Sequence, residues 1–315
     1  MKSHIKKNKL LNKIIFSIGY FIFLITGLTF KISFKSFLNL YIYTNGSFLE
    51  TFYNRYLKKD INTKSTSSKI FGNFTVNNFE KLNIELNDEG YCVFEKKLNN
   101  DLIKKLEALS LRLKANVNSQ KICFNENKLI SNIYKFNSED LLNDSVVQDL
   151  IMDPLLINVA RNYFKSEPIF DYPAMWWSTD YKVKIDDAAQ DYHFDMDRIK
   201  WLKVFIYLSD VNDKNGPHSY ISGSHRENAK PQNSLEKGYV RIEDSELEKY
   251  YSKNRFKEIK GEKGTIVFGD TLCWHKGKPI TEGNRLVLQF QYTSSLFGII
   301  KTQSVSKNSE KFFKF

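Results

Sequence analysis

The stretch DYHFDMDRIKWLKVFIYL, residues 191–208, decides how this chain is read. Its second half, Trp201–Leu208, is a short apolar and aromatic run, and its first half carries His193-Phe194-Asp195. Positions i and i+2 of an extended chain point to the same face, so this segment presents an imidazole and a carboxylate side by side. Similar runs lie on either side: Ala174–Tyr181 before it, and Gly264–Phe268, Leu272–His275 and Arg285–Tyr292 after it, with Gly, Asn, Asp and Pro between them. Short strands separated by turn residues predict a mainly β fold, a sandwich or a barrel. Upstream, Gly90–Phe94 reads as a first strand. Asn100–Ala115 places Leu102, Ile103, Leu106, Leu109 and Leu113 at helical spacing, and Ser145–Phe164 reads as a second helix. Flanking helices therefore precede an all-β half, with no internal repeat.

The chain has 315 residues, 42% of them apolar, which suits one domain of about 200–250 residues plus appendages. Its net charge of +11 invites a nucleic-acid reading. Residues 1–49 hold seven Lys and no acid, and residues 301–315 hold four Lys and one Glu, so the body between them is nearly neutral. A long basic groove for phosphate backbones is not expected, and no nucleic-acid partner is assigned. Cys92, Cys123 and Cys273 are odd in number and never form a CxxC, which argues against a disulfide framework or a thiolate zinc site. GxxxxGK[ST], GxGxxG, GxSxG and HExxH are all absent.

The N-terminal segment, 1–56, stands apart. Lys2, Lys6, Lys7, Lys9 and Lys13 precede a seventeen-residue uncharged run, Ile14–Phe30, which meets Lys31 and Lys35 and continues through Phe34, Phe37, Leu38, Leu40, Tyr41 and Tyr43. Without a small-residue cleavage pattern, it is not read as a signal peptide. The run is at the lower limit for spanning a bilayer, and the interspersed lysines suit a helix lying at a membrane interface with membrane contact across residues 10–45. A single span and a helix packed on the protein's own body are the alternatives. Residues 57–80 read as a polar linker, 81–300 as the main domain and 301–315 as a basic tail.

The chemistry rests on His193 and Asp195 with a third ligand from a later strand. His218, His225 and His275 are available. His275 is preferred because it ends the apolar run Thr271-Leu272-Cys273-Trp274, whereas His218 and His225 fall in the turn-rich stretch Asn215–Arg226. Two histidines and one carboxylate make the facial triad of non-haem Fe(II) oxygenases, which leaves coordination positions open.

Tyr91 to about Gly298 resembles the phytanoyl-CoA dioxygenase family of Fe(II)- and 2-oxoglutarate-dependent oxygenases. The matching elements, in order, are Glu89-Gly90-Tyr91 before a helix, His193-Phe194-Asp195, the run from Asn215-Gly216-Pro217 to Ser222-Gly223-Ser224-His225, Gly269-Asp270-Thr271 leading into His275, and Arg285 ten residues later. Ser222 stands where the family usually has Pro. The resemblance implies a double-stranded β-helix (jelly-roll or cupin-like), Fe(II), 2-oxoglutarate and O2 as cofactor and cosubstrates, and metal ligation by His193, Asp195 and His275. It also implies that Arg285 grips the far carboxylate of 2-oxoglutarate, a task for which a planar guanidinium is suited. By register with the family, Phe205 and Met175 line the cosubstrate pocket. Related halogenases replace the carboxylate with a small residue, so Asp195 implies hydroxylation of an unactivated C–H in a small molecule, lipid or glycan precursor. An inactive binding protein on the same barrel and a membrane-tethered scaffold are the alternatives. A cytoplasmic location is expected, because 2-oxoglutarate is a cytosolic metabolite.

Candidate substrate contacts are Trp177 and Tyr181, which share a strand face, Asp197 and Arg198, which would otherwise form a rim ion pair, and Lys203. A charge inside the apolar strand 201–208 needs a partner, such as a pocket carboxylate or a substrate anion. Cys273 shares parity with His275 and is read as a small filler. The rest of the pocket wall is expected from Lys182–Asp191 and Lys230–Arg255, to which no chemistry is assigned.

Overall fold

The computed structural model describes residues 8–181, 191–237 and 241–298. The basic tail, Lys2, Lys6 and Lys7, and residues 182–190 of the expected pocket wall lie outside the described residues. The chain starts with three helices, α1 (Lys9–Thr26), α2 (Lys31–Thr44) and α3 (Ser47–Tyr56). The Asn8 side chain caps α1, and Gly27 ends it in the left-handed region at φ 71°. Among the described residues α1 is the one helix long and apolar enough to cross a membrane, judged by length and composition. One of its faces is docked on the protein. Phe16 packs edge-on against Phe52 and Phe297 with ring centroids 5.0 and 5.6 Å away, and Asn39 donates to Asn12 at 3.0 Å in a buried bond.

The stretch expected as a linker is largely structured. Strands β1 (Thr66–Ser68) and β2 (Gly72–Phe74) form a hairpin, and helix α4 (Val76–Glu89) begins five residues before the expected domain start at Lys81. The polar composition hid three buried anchors: Ser68 Oγ takes the N–H groups of Ile70 and Phe71 and donates to Asp153, while Phe71 and Phe74 are buried. Gly90 ends α4 at φ 83° and leads into β3 (Tyr91–Val93). A Cβ at Gly90 would overlap Cys273 Sγ, so only glycine permits both the turn and the close approach to the segment that carries His275.

Next come α5 (Asn100–Arg112), β4 (Lys114–Val117), β5 (Gln120–Cys123), β6 (Ile133–Lys135), α6 (Ser138–Leu142), α7 (Ser145–Ile151) and α8 (Pro154–Phe164). The single helix expected over Ser145–Phe164 is two. Pro154 cannot continue a helix from upstream, and Asp153 caps the new one by accepting from Leu155 and Leu156. The second half supplies β7 (Ile169–Thr179), β8 (Trp201–Tyr207), β9 (His218–Ile221), short helices α9 (Gln232–Glu236) and α10 (Asp244–Leu247), then β10 (Phe256–Ile259), β11 (Ile266–Gly269), β12 (His275–Gly277) and β13 (Asn284–Thr293).

An eight-stranded sheet in the order β3-β11-β8-β13-β7-β6-β4-β5 is accompanied by a three-stranded sheet, β10-β9-β12, with antiparallel pairing throughout. β8 shows why the large sheet holds. Leu202, Val204 and Ile206 belong to the main core with the helices, whereas Phe205 and Tyr207 pack with Tyr220, Val267 and Val287 between the sheets. Both faces of the strand are covered, and each fully buried apolar side chain contributes about 1.5–3 kcal/mol. The architecture is a double-stranded β-helix wrapped by helices.

Candidate active site

His193 and His275 meet at an isolated antiparallel bridge. His193 N–H donates to the His275 carbonyl at 3.0 Å, and His275 N–H donates to the His193 carbonyl at 2.8 Å. Directly opposed residues on antiparallel strands send their side chains to one face, so the rings lie 4.4 Å apart between centroids. Two residues on, Asp195 N–H donates to the Thr271 carbonyl at 2.8 Å, tying the carboxylate's backbone to the turn before His275. Phe194, on the reverse side, packs against Trp274 and Tyr41 at 4.9 and 5.9 Å. The N-terminal helices thus clamp the back of the segment whose front carries His193 and Asp195.

One ligand atom from each of His193, Asp195 and His275 lies within 4.8 Å of the others, and Asp195 Oδ2 is 3.8 Å from His275 Nε2. Nδ1 of His193 lies 3.1 Å from the Asp191 carbonyl, and Nδ1 of His275 lies 3.0 Å from that of Cys273. A carbonyl can only accept, so each Nδ1 carries the proton and each Nε2 keeps a free lone pair. Burial, then the neighbouring His193, pushes His275 down to about 3. Burial also lowers His193, against the opposing pull of Asp195. Both rings are therefore neutral near pH 7, the form that binds metal. Two imidazoles and a carboxylate on one face fit a first-row divalent ion such as iron.

Lys203, on β8, is buried and donates to Asp195. Burial is the largest influence and disfavours its ammonium, yet the charges of Asp195, Tyr172 and Asp197 and the hydrogen bond to Asp195 together outweigh it and raise its pKa above the ordinary lysine value. The expected partner of this strand charge is thus a carboxylate of the site itself.

Arg285, the second residue of β13, pairs with Ser178 of β7 and is buried. Among the described residues its Nε and Nη1 have no hydrogen-bond partner, and Nη2 reaches Ser178 Oγ at 3.5 Å. Burial pulls its pKa down. A buried guanidinium with idle donors is costly unless a ligand supplies acceptors, and the planar carboxylate of a dicarboxylic acid does so. Arg285 and the metal-ligand candidates line one cavity of about 380 Å³ that also includes Phe205, Lys203 and Tyr181.

Four expectations need correction. Met175 and Trp177 lie on the opposite face of β7, Met175 in the main core and Trp177 stacked on Phe124 at 4.3 Å. Ala174, Trp176 and Ser178 face the cavity instead, because strand period 2 leaves only one parity free. Arg198 does not reach the cavity: it grips Asp171 with bonds of 2.8 and 2.7 Å. Asp197 is buried and outside the cavity lining. Cys273 fills space away from the cavity, 3.4 Å from His225 Nδ1.

His218, set aside in the sequence as a turn residue, starts β9, lies tilted against Phe205 with centroids 4.4 Å apart, and lines the cavity. Its parity with Tyr220, whose ring lies against His275 at 5.8 Å, was the available signal. Gln289 was missed, although it shares parity with Arg285 along β13.

The profile of the phytanoyl-CoA dioxygenase (PhyH) family matches residues 86–287. No curated protein sequence matches the chain. Among solved structures, apo EctD from S. alaskensis is 19% identical with a TM-score of 0.52, covering 70% of this chain and 81% of its own. The same protein with bound Fe gives 15% and 0.51, covering 75% and 83%. HygX from Streptomyces hygroscopicus with nickel and 2-oxoglutarate bound gives 14% and 0.50, covering 67% and 85%. At these identities the structural likeness bears on the fold, while the family match spans most of the chain and both segments that carry the candidate metal ligands. The chain belongs to the phytanoyl-CoA dioxygenase family, whose members work with Fe(II), 2-oxoglutarate and O2.

Proposed function

We propose that the protein hydroxylates an unactivated C–H bond of a small molecule, lipid or glycan precursor, with His193, Asp195 and His275 holding Fe(II) and Arg285 holding 2-oxoglutarate. The observation that carries this reading is the pairing, in one cavity, of a two-histidine, one-carboxylate donor set with a buried guanidinium whose Nε and Nη1 have no partner among the described residues. Iron bound there supplies the oxidising chemistry, in which O2 and 2-oxoglutarate give succinate and CO2 and one oxygen atom goes to the substrate.

The residues of this chain do the rest. The backbone bridge and the Asp191 and Cys273 carbonyls orient both imidazoles, and Lys203 holds Asp195. Phe205 and Trp176 make apolar wall, which strengthens the polar contacts beside it. A carboxylate at position 195, not a small residue, supports hydroxylation over halogenation. Iron in EctD, and nickel with 2-oxoglutarate in HygX, support the cofactor assignment on the shared fold. A cytoplasmic location goes with the cosubstrate. The inactive-barrel reading is not favoured, because Arg285 lines the cavity with Nε and Nη1 unpaired among the described residues, ready for an anion.

The test compares metabolites of a deletion strain and its complemented parent under ¹⁸O₂. Hydroxylation predicts a compound that the deletion lacks and that carries one labelled oxygen. A missing compound with the same mass as its accumulated precursor, as in an epimerisation, would rule hydroxylation out.

A further inference from the structure

Helix α1 is apolar on both faces. Its inner arc, Phe16, Gly19, Tyr20 and Phe23, is packed on the protein, and a Cβ at Gly19 would overlap Ser33 of α2. At 100° per residue the opposite arc gathers Leu10, Ile14, Ile18, Phe21, Leu24 and Ile25, all exposed, with Leu10 at 68%, Phe21 at 63% and Ile25 at 69%. Only Ser17 interrupts that arc. Leu28, Phe30 and Ile32 extend it past the turn at Gly27. An ordinary surface helix turns polar residues outward, so this contiguous apolar surface marks a contact with something that is not water.

Charge identifies the partner. Exposed Lys13 lies on the edge of the apolar arc, exposed Lys9 sits in the first turn of the helix, exposed Lys31 and Lys35 continue on α2, and no acidic residue occurs in residues 1–49. An apolar strip edged by lysines complements a bilayer surface, with acyl chains beneath and anionic headgroups at the rim. A second copy of the same patch would set lysine against lysine. Spanning is disfavoured because the inner arc is already committed: Phe16 and Tyr20 against Phe297 and Phe52, and Asn12 to Asn39.

We propose that the outer face of α1, with Leu28, Phe30 and Ile32, is a monotopic docking surface for an anionic membrane, so that the oxygenase domain lies on the bilayer without crossing it. This inference stands independently of the reaction assigned above.

The experiment is flotation of the full chain with phosphatidylcholine vesicles and with vesicles containing about one-quarter phosphatidylglycerol. The expected result is co-flotation with the anionic vesicles, at least ten-fold weaker binding to the neutral ones, and release by alkaline carbonate. Ile14→Glu combined with Phe21→Glu should abolish flotation while thermal stability stays within a few degrees of the parent. Lys9→Glu with Lys13→Glu, which leaves the apolar strip intact, should weaken binding to anionic vesicles only. His193→Ala should float like the parent, which separates this claim from the catalytic one. No flotation, retention through carbonate extraction, or a concentration-dependent dimer that the Ile14/Phe21 substitutions dissolve would each overturn the proposal.

Discussion

His193 and His275 exchange both backbone hydrogen bonds across a single bridge, at 3.0 and 2.8 Å, so main-chain pairing brings two donors of the candidate metal set together. The site is built by the fold, unlike a zinc finger, in which the ion itself organises the chain.

A chelator should therefore strip the metal and leave secondary structure intact, with far-ultraviolet circular dichroism unchanged. Replacing Asp195 or His275 by Ala should weaken Mn(II) binding more than the ~10–100-fold expected of an outer-shell residue. Calorimetric titration of the three proteins checks this, and parent-like affinity in the variants would remove these residues from the ligand set.

Arg285 should govern affinity for the cosubstrate and have less effect on turnover at saturation. Charge-assisted hydrogen bonds are worth about 1.5–3 kcal/mol each, so Arg285→Ala should raise the KM for 2-oxoglutarate roughly 10–150-fold per lost bond. Arg285→Lys should recover only part of this, because ammonium lacks the planar fork. Steady-state kinetics with varied 2-oxoglutarate distinguishes a KM effect from a kcat effect.

Lys203→Met should leave Asp195 buried without its cation. Breaking a buried ion pair from one side costs about 3–5 kcal/mol, so the metal-free variant should melt well below the parent. A divalent metal can replace the lost charge, so added Mn(II) should raise the variant's Tm by more than it raises the parent's. Equal metal-induced shifts would indicate that Lys203 does not sense the site.

Acid should destabilise the metal-free protein before its carboxylates titrate. Burial lowers His218 well below its usual range, His225 to about 4 and His275 to about 3. The unfolded chain takes up these protons from about pH 6.5, the folded chain only far lower, so between about pH 6.5 and 4 the unfolded state binds more protons. Stability is complete above that window and falls as pH drops, by about 1.4 kcal/mol per pH unit for each group. Urea midpoints at pH 7 and pH 5 measure the slope. His225→Gln, remote from the cavity, should reduce it by one proton.

The sequence made the architecture and the candidate metal pair legible for local reasons. His193 and Asp195 are two residues apart on an extended segment, so their shared face follows from backbone geometry, and apolar runs such as Trp201–Leu208 reveal strands buried on both sides. Parity within Ala174–Tyr181 was not legible, because Trp176 and Trp177 suit either face and only pairing with β13 and the packing of Phe124 on Trp177 decide between them. His218 was read as a turn residue because Gly216 and Pro217 precede it, although the strand starts there. The Ser68 hairpin was hidden by its polar composition, since its anchors act through a buried bond to Asp153, 85 residues away in sequence. Arg198 looked like a rim residue, but Asp171, 27 residues earlier, claims it.

The central claim is that His193, Asp195, His275 and Arg285 form one working centre for iron and 2-oxoglutarate. Its most direct test is succinate release from 2-oxoglutarate by the purified full chain with Fe(II) in air. Slow, iron-dependent succinate formation is expected without added substrate, lost in His193→Ala and restored in Arg285→Ala only at high 2-oxoglutarate. Succinate formation that persists unchanged in His193→Ala, or that needs no iron, would contradict it.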